Sequence, residues 1–63
     1  MDFATFEKMV KDRVNDMKYD YSTDMDVDSV INEHSDLISE TFNDDPTEDG
    51  ADYVAREIVT YFM

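Results

Sequence analysis

Carboxylates dominate the side chains of this sequence that could do chemistry, and carboxylates bind cations or pair with basic side chains. The chain holds 17 Asp and Glu against five Lys and Arg, a net charge of −12 at pH 7. Up to Lys18 the two signs balance, whereas from Tyr19 onward 13 acids face one base, Arg56. This imbalance predicts a positively charged partner and repels nucleic acid and anionic membranes as direct ligands.

The predicted partner-binding residues are the acids in three groups after residue 18, together with two tyrosines. The first group precedes and begins the second predicted helix, at about 27–43, and the second group lies on that helix. The third group precedes and begins the last predicted helix, at about 46–62. Tyrosine beside carboxylate is typical of protein interfaces, because the ring supplies contact area and the acids supply specificity. The residues are Asp20, Asp24, Asp26 and Asp28; Glu33, Asp36 and Glu40; Asp44, Asp45, Glu48, Asp49 and Asp52; and Tyr21 and Tyr53.

One stretch has the spacing of a calcium-binding loop. Asp45, Thr47, Asp49 and Gly50 stand at positions one, three, five and six of such a loop, but position twelve is Arg56, where a bidentate Glu is needed. The sequence therefore predicts neither a metal site nor a cofactor.

Catalytic residues are not apparent. His34 is the only histidine, and it falls on an apolar helical stripe, which predicts a half-buried, hydrogen-bonded imidazole. The chain has no cysteine, and no serine is spaced to act as a nucleophile beside His34. We therefore expect a protein that is not an enzyme.

Apolar residues at three- and four-residue intervals predict the elements that carry these side chains. The pattern indicates helices at about 2–18, 27–43 and 46–62, with 19–25 as a loop. Asp26 is expected to cap the second helix, and Asp45 with Pro46 to begin the third. Gly50 weakens the expected first turn of that helix. The prediction is an all-α, single-domain, three-helix bundle of 63 residues.

The acidic clusters also have a purely structural interpretation. Acids at helix N-termini are stabilised by the helix dipole, each by about 0.3–1 kcal/mol. That effect does not explain the scarcity of compensating bases, nor 12 Asp against five Glu where Glu is the better helix former. Binding explains the preference better, because a short carboxylate loses less side-chain entropy when it pairs.

In charge, size and compactness the chain resembles the small acidic proteins, many phage-encoded, that mimic DNA to block restriction enzymes, CRISPR nucleases, repair glycosylases or repressors. The resemblance implies a non-enzymatic inhibitor that occupies the basic surface of a nuclease or other nucleic-acid-binding protein. No membrane-spanning run or signal peptide is apparent, so we expect a cytoplasmic protein, in the host cytoplasm if phage-encoded.

Two alternatives stay open from the sequence. The first is an antitoxin-like interaction module or homodimer that associates through the third helix, where Val59 and Tyr61 widen the apolar surface. The second is a carrier protein, because Asp28, Ser29 and Val30 resemble the phosphopantetheine serine motif of acyl carrier proteins. Val30 replaces the Leu of that motif.

Overall fold

The computed structural model describes residues 1–20 and 26–61, and of Asp20 only the backbone. Within these ranges the chain forms four α-helices: α1 (Phe3–Asp20), α2 (Val27–Glu33), α3 (Ser35–Asp44) and α4 (Glu48–Tyr61). No strand occurs in the described ranges, so the all-α prediction is confirmed. The Cα radius of gyration is 10.5 Å, close to the roughly 11 Å expected for a folded chain of this length.

Helix α1 begins with a capped turn. The Asp2 carboxylate accepts the Thr5 amide at 2.8 Å, and the Asp2 carbonyl accepts the Phe6 amide at 3.0 Å. Hydrogen bonds from the Thr5 side chain and amide lower the pKa of Asp2. The stabilisation from this carboxylate is therefore present at neutral pH and is lost as the pH falls through its lowered pKa.

The C-terminal end of α1 lies beyond the predicted boundary. The helix continues to Asp20, so Tyr19 is helical instead of belonging to the loop predicted for 19–25. The Lys18 ammonium lies 5.4 Å from the centre of the Tyr19 ring, which is within the range of a cation–π contact.

The second predicted helix is divided at His34, and this corrects the helix count from three to four. His34 has φ −106° and ψ 21°, far from the values of about −63° and −42° of an α-helix. The Val30 carbonyl accepts both the His34 amide at 3.1 Å and the His34 Nδ1–H at 2.9 Å. The imidazole is half-buried and hydrogen-bonded, as the sequence predicted.

Helix α4 begins later than predicted, and neither Asp45 nor Pro46 starts it. Asp45 instead ends α3, with its amide donating to the Thr41 carbonyl at 2.8 Å. Thr47 occupies the capping position, because its Oγ1 accepts the Gly50 amide at 3.4 Å and its carbonyl accepts the Ala51 amide at 3.0 Å. Asp45 supports the cap by accepting the Thr47 hydroxyl at 2.6 Å.

The core is built around α4, which packs against α1 and α3, while α1 contacts all three other helices. Phe42 joins α3 to α1 through edge-to-face contacts with Phe6 and Phe3, at centroid distances of 5.3 and 5.4 Å. Burial removes the apolar side of α4 from solvent. The buried apolar residues are Phe6, Val10, Val14, Val27, Val30, Ile31, Ile38, Ala51, Val54, Ala55, Ile58 and Val59.

Gly50 lies in the first turn of α4 because the end of α3 approaches it closely. A Cβ at this position would clash with the Asp45 carbonyl oxygen and lie 3.2 Å from the Asp45 carbonyl carbon. From the sequence, Gly50 weakens the first turn of the helix. In the structure, the packing between α3 and α4 requires a glycine at this position.

We expect Gly50→Ala to lower the free energy of unfolding by about 1–3 kcal/mol, because the added methyl group displaces backbone in a packed turn. Helix propensity alone predicts the opposite, a gain of up to about 1 kcal/mol. Urea denaturation followed by circular dichroism measures the difference, with Thr60→Ala on the exposed side of α4 as control. A Gly50→Ala protein as stable as the parent would contradict the close approach.

Candidate partner-binding surface

Acids are concentrated from the end of α2, through α3, to the start of α4. Residues 33–49 contain seven Asp or Glu and neither Lys nor Arg. All seven side chains are exposed. We refer to them as the α3–α4 acidic surface: Glu33, Asp36, Glu40, Asp44, Asp45, Glu48 and Asp49.

The helical period places three of these acids in one row. Asp36, Glu40 and Asp44 follow at four-residue intervals on α3, about 6 Å apart along the axis. The same helix turns Ile38 and Thr41 into the protein. The short connection at 45–47 then leads to Glu48 and Asp49, which lie in the first turn of α4 where the helix dipole favours acids.

Three of the five basic side chains pair with acids elsewhere. Within the described ranges the ion pairs are Lys11 with Asp28 at 2.5 Å, Arg13 with Asp52 at 3.6 Å and Arg56 with Asp52 at 3.0 Å. None of them involves the α3–α4 acidic surface. No ion pair among the described residues therefore neutralises that surface.

The predicted acids Asp26 and Asp28 lie in a different environment. Both line a groove between α1 and α2 together with Lys11 and Lys18. A hydrogen bond and the charge of Asp28 raise the pKa of Lys11. Asp26 stands at the N-cap position of α2, but its carboxylate accepts the Ser29 hydroxyl at 3.0 Å instead of a backbone amide. This side of the molecule is mixed in charge.

Asp52 forms ion pairs with two arginines of the same chain. Its side chain is 29% exposed and lies between Arg13 of α1 and Arg56 of α4. Arg13 Nη1 lies 3.6 Å from the Asp52 carboxylate, an ion-pair distance, while the buried Arg13 Nε has no hydrogen-bond partner among the described residues. The four-residue spacing between Asp52 and Arg56 predicts their ion pair from the sequence. The ion pair between Arg13 and Asp52 joins two helices, so it is visible only in the folded structure.

The remaining predicted residues are only partly described. Tyr21 and Asp24 lie outside the described residues, and Asp20 ends α1 with its side chain undescribed. Tyr53 is 58% exposed on α4. The predicted set therefore separates into an uncompensated surface, a mixed-charge groove and the Asp52 network.

The geometry does not support the calcium-loop pattern. Positions five to twelve of the calcium-loop pattern, residues 49–56, lie within α4 and cannot wrap an ion as a loop. The described residues contain no group of three His, Cys, Asp or Glu placed to hold a metal. His34 packs edge-on against the Tyr61 ring at a centroid distance of 5.5 Å.

No protein-family model, curated protein or solved structure matches this chain. None of the helices in 1–20 and 26–61 combines the length and apolar character needed to cross a membrane.

We expect the melting temperature to rise with salt, because screening weakens the repulsion among uncompensated acids. Raising NaCl from about 10 mM to about 100 mM shortens the screening length from about 30 Å to about 10 Å, across a molecule 30 Å long. A gain of about 1 kcal/mol would raise the melting temperature by about 4–8 °C.

Two variants of equal net charge locate the repulsion. Asp36→Asn/Glu40→Gln/Asp44→Asn removes three charges from the α3–α4 acidic surface, whereas Glu7→Gln/Asp12→Asn/Asp16→Asn removes three outside it. The first variant should show the smaller salt-dependent shift in differential scanning fluorimetry. Equal shifts would mean that only net charge matters.

Proposed function

We propose that the protein is a non-enzymatic inhibitor that occupies the basic nucleic-acid-binding surface of another protein. The observation that carries this proposal is the α3–α4 acidic surface, seven exposed acids with no basic side chain in ion-pair contact among the described residues. A surface of one sign, left uncompensated, attracts a target of the opposite sign.

The charge density supports nucleic acid as the ligand that is imitated. A net charge of −12 along a long axis of 30 Å is one charge per roughly 2.5 Å, against one per roughly 1.7 Å of duplex DNA. A single row of acids on α3, about 6 Å apart, is too sparse to imitate a strand. The acids at the start of α4 supply a second element.

The placement of the acids also favours binding. Asp36, Glu40 and Asp44 are attached to a helix that is packed against the core, so their backbone is ordered before a target arrives. Preorganisation lowers the entropy cost of association. Opposite charge speeds the encounter, most strongly at low salt.

The resemblance in charge and size to phage-encoded DNA mimics extends this proposal to an anti-defence role. The target would then be a restriction enzyme, a CRISPR nuclease or another DNA-binding protein of the host, and the inhibitor would act in the host cytoplasm. The shape and charge of the acidic surface select among these targets.

The alternative interaction module keeps only one of the two residues on which it was based. Val59 is fully buried in the core, whereas Tyr61 is 76% exposed on α4. The carrier alternative rests on Ser29, whose exposed hydroxyl donates to Asp26. Each alternative gives a distinct result in the experiment below.

The proposal predicts that the immobilised protein captures a nucleic-acid-binding protein from bacterial lysate at about 50 mM NaCl. Because the contact is electrostatic, about 300 mM NaCl or added duplex DNA should release it. Mass spectrometry identifies the captured protein. A partner that resists both treatments would favour the interaction module, and a phosphopantetheine mass on Ser29 would favour the carrier.

The two charge-matched triple variants test whether the acidic surface makes the contact. Asp36→Asn/Glu40→Gln/Asp44→Asn should weaken capture by about tenfold or more, while Glu7→Gln/Asp12→Asn/Asp16→Asn should weaken it less. Asp45 is left unchanged, since its carboxylate holds the Thr47 cap. Equal losses in both variants would show attraction by net charge without a defined surface.

A further inference from the structure

The outer side of α4 carries an exposed tyrosine between two carboxylates. We infer that Tyr53, with Asp49 and Glu57, binds an arginine side chain of the target protein. This inference rests on the proposed function, and it names the chemistry of the target residue that the inhibitor meets beside the α3–α4 acidic surface.

The helical spacing sets the geometry of this group. Asp49, Tyr53 and Glu57 follow at four-residue intervals within α4, each about 6 Å from the next along the axis. All three are exposed, and 58% of Tyr53 is accessible in the middle of the helix. Asp49 also belongs to the α3–α4 acidic surface, so the two groups share one carboxylate.

The group is unoccupied by intramolecular partners. Within the described residues no ion pair, hydrogen bond or ring contact involves the side chains of Asp49, Tyr53 or Glu57. The neighbouring cation, Arg56, pairs with Asp52 at 3.0 Å. An external cation therefore meets two unneutralised carboxylates and an open ring.

Arginine fits this group better than lysine. A guanidinium is planar, so it can stack on the Tyr53 ring and still donate hydrogen bonds sideways to Asp49 or Glu57. An ammonium is a strongly hydrated point charge that cannot stack as a plane. Arginine is also abundant where proteins read or hold nucleic acid, so a DNA-binding target would present it.

Tyr19 provides a contrast within the same chain. It is 73% exposed, but the Lys18 ammonium lies 5.4 Å from the centre of its ring. Exposure alone therefore does not distinguish Tyr53. The distinction is that Tyr53 has carboxylates on both sides along its helix and no cation over its ring.

Two blocked octapeptides, alternating Gly-Arg and alternating Gly-Lys, test the inference with equal charge. At about 50 mM NaCl we expect the arginine peptide to bind about two- to fivefold more tightly. The ring resonances of Tyr53 should shift more in its presence than with the lysine peptide. NMR titration of the full chain measures both the affinities and the site.

Variants at two tyrosines assign the preference. Tyr53→Phe should keep the arginine preference, since the ring is retained, and Tyr53→Ala should abolish it. Tyr19→Ala is the matched control and should leave the preference unchanged, with circular dichroism confirming the fold of each variant. Equal affinity for the two peptides, absence of binding, or a preference that survives Tyr53→Ala would overturn the inference.

The outcome is separable from that of the proposed function. If the captured lysate protein is released by salt and DNA but the two peptides bind with equal affinity, the proposed inhibitor function is supported and the arginine site is wrong. If the peptides discriminate but no nucleic-acid-binding protein is captured, α4 binds arginine and the proposed function fails.

Discussion

Burial of α4 is the constraint on which the rest of this small structure depends. A chain of 63 residues with a net charge of −12 has few apolar side chains with which to oppose self-repulsion. Val54, Ala55, Ile58 and Val59 are fully buried against the neighbouring helices, and Gly50 allows α3 to end directly against the helix. With one side of α4 committed to the core, its other side presents Tyr53 and its flanking acids.

Charge in this protein is sorted by side of the molecule. The lysines of α1 face the N-terminal acids of α2 across a groove, and Arg13 joins α1 to α4 through Asp52. These contacts are exposed or partly exposed, and such pairs add little stability. All five Lys and Arg residues lie on α1 or late in α4, so none of them interrupts residues 33–49, which contain the α3–α4 acidic surface. That separation is the physical basis of the proposed inhibitor.

Periodicity predicted much of the fold. The apolar spacing identified the helical segments and most of the buried residues, because a helix must turn its apolar side inward whatever it packs against. It missed the break at His34, where φ and ψ leave the helical range, and the start of α4 at Glu48, since the Thr47 cap depends on a hydrogen bond to Asp45 that apolar spacing does not contain. Glu33, Asp36 and Glu40, which the sequence predicts as partner-binding residues, are exposed in the structure.

By itself the sequence determined the helical class, the excess of acid and the absence of bases between residues 33 and 49, since all three follow from composition and local spacing. Only the tertiary structure decided which acids remain uncompensated. Asp28 and Asp52 are acids like Asp36 and Asp44 in the sequence, yet contacts from α1 neutralise the first two and not the others. Ion pairing between helices depends on packing angles and distances that one-dimensional spacing does not contain.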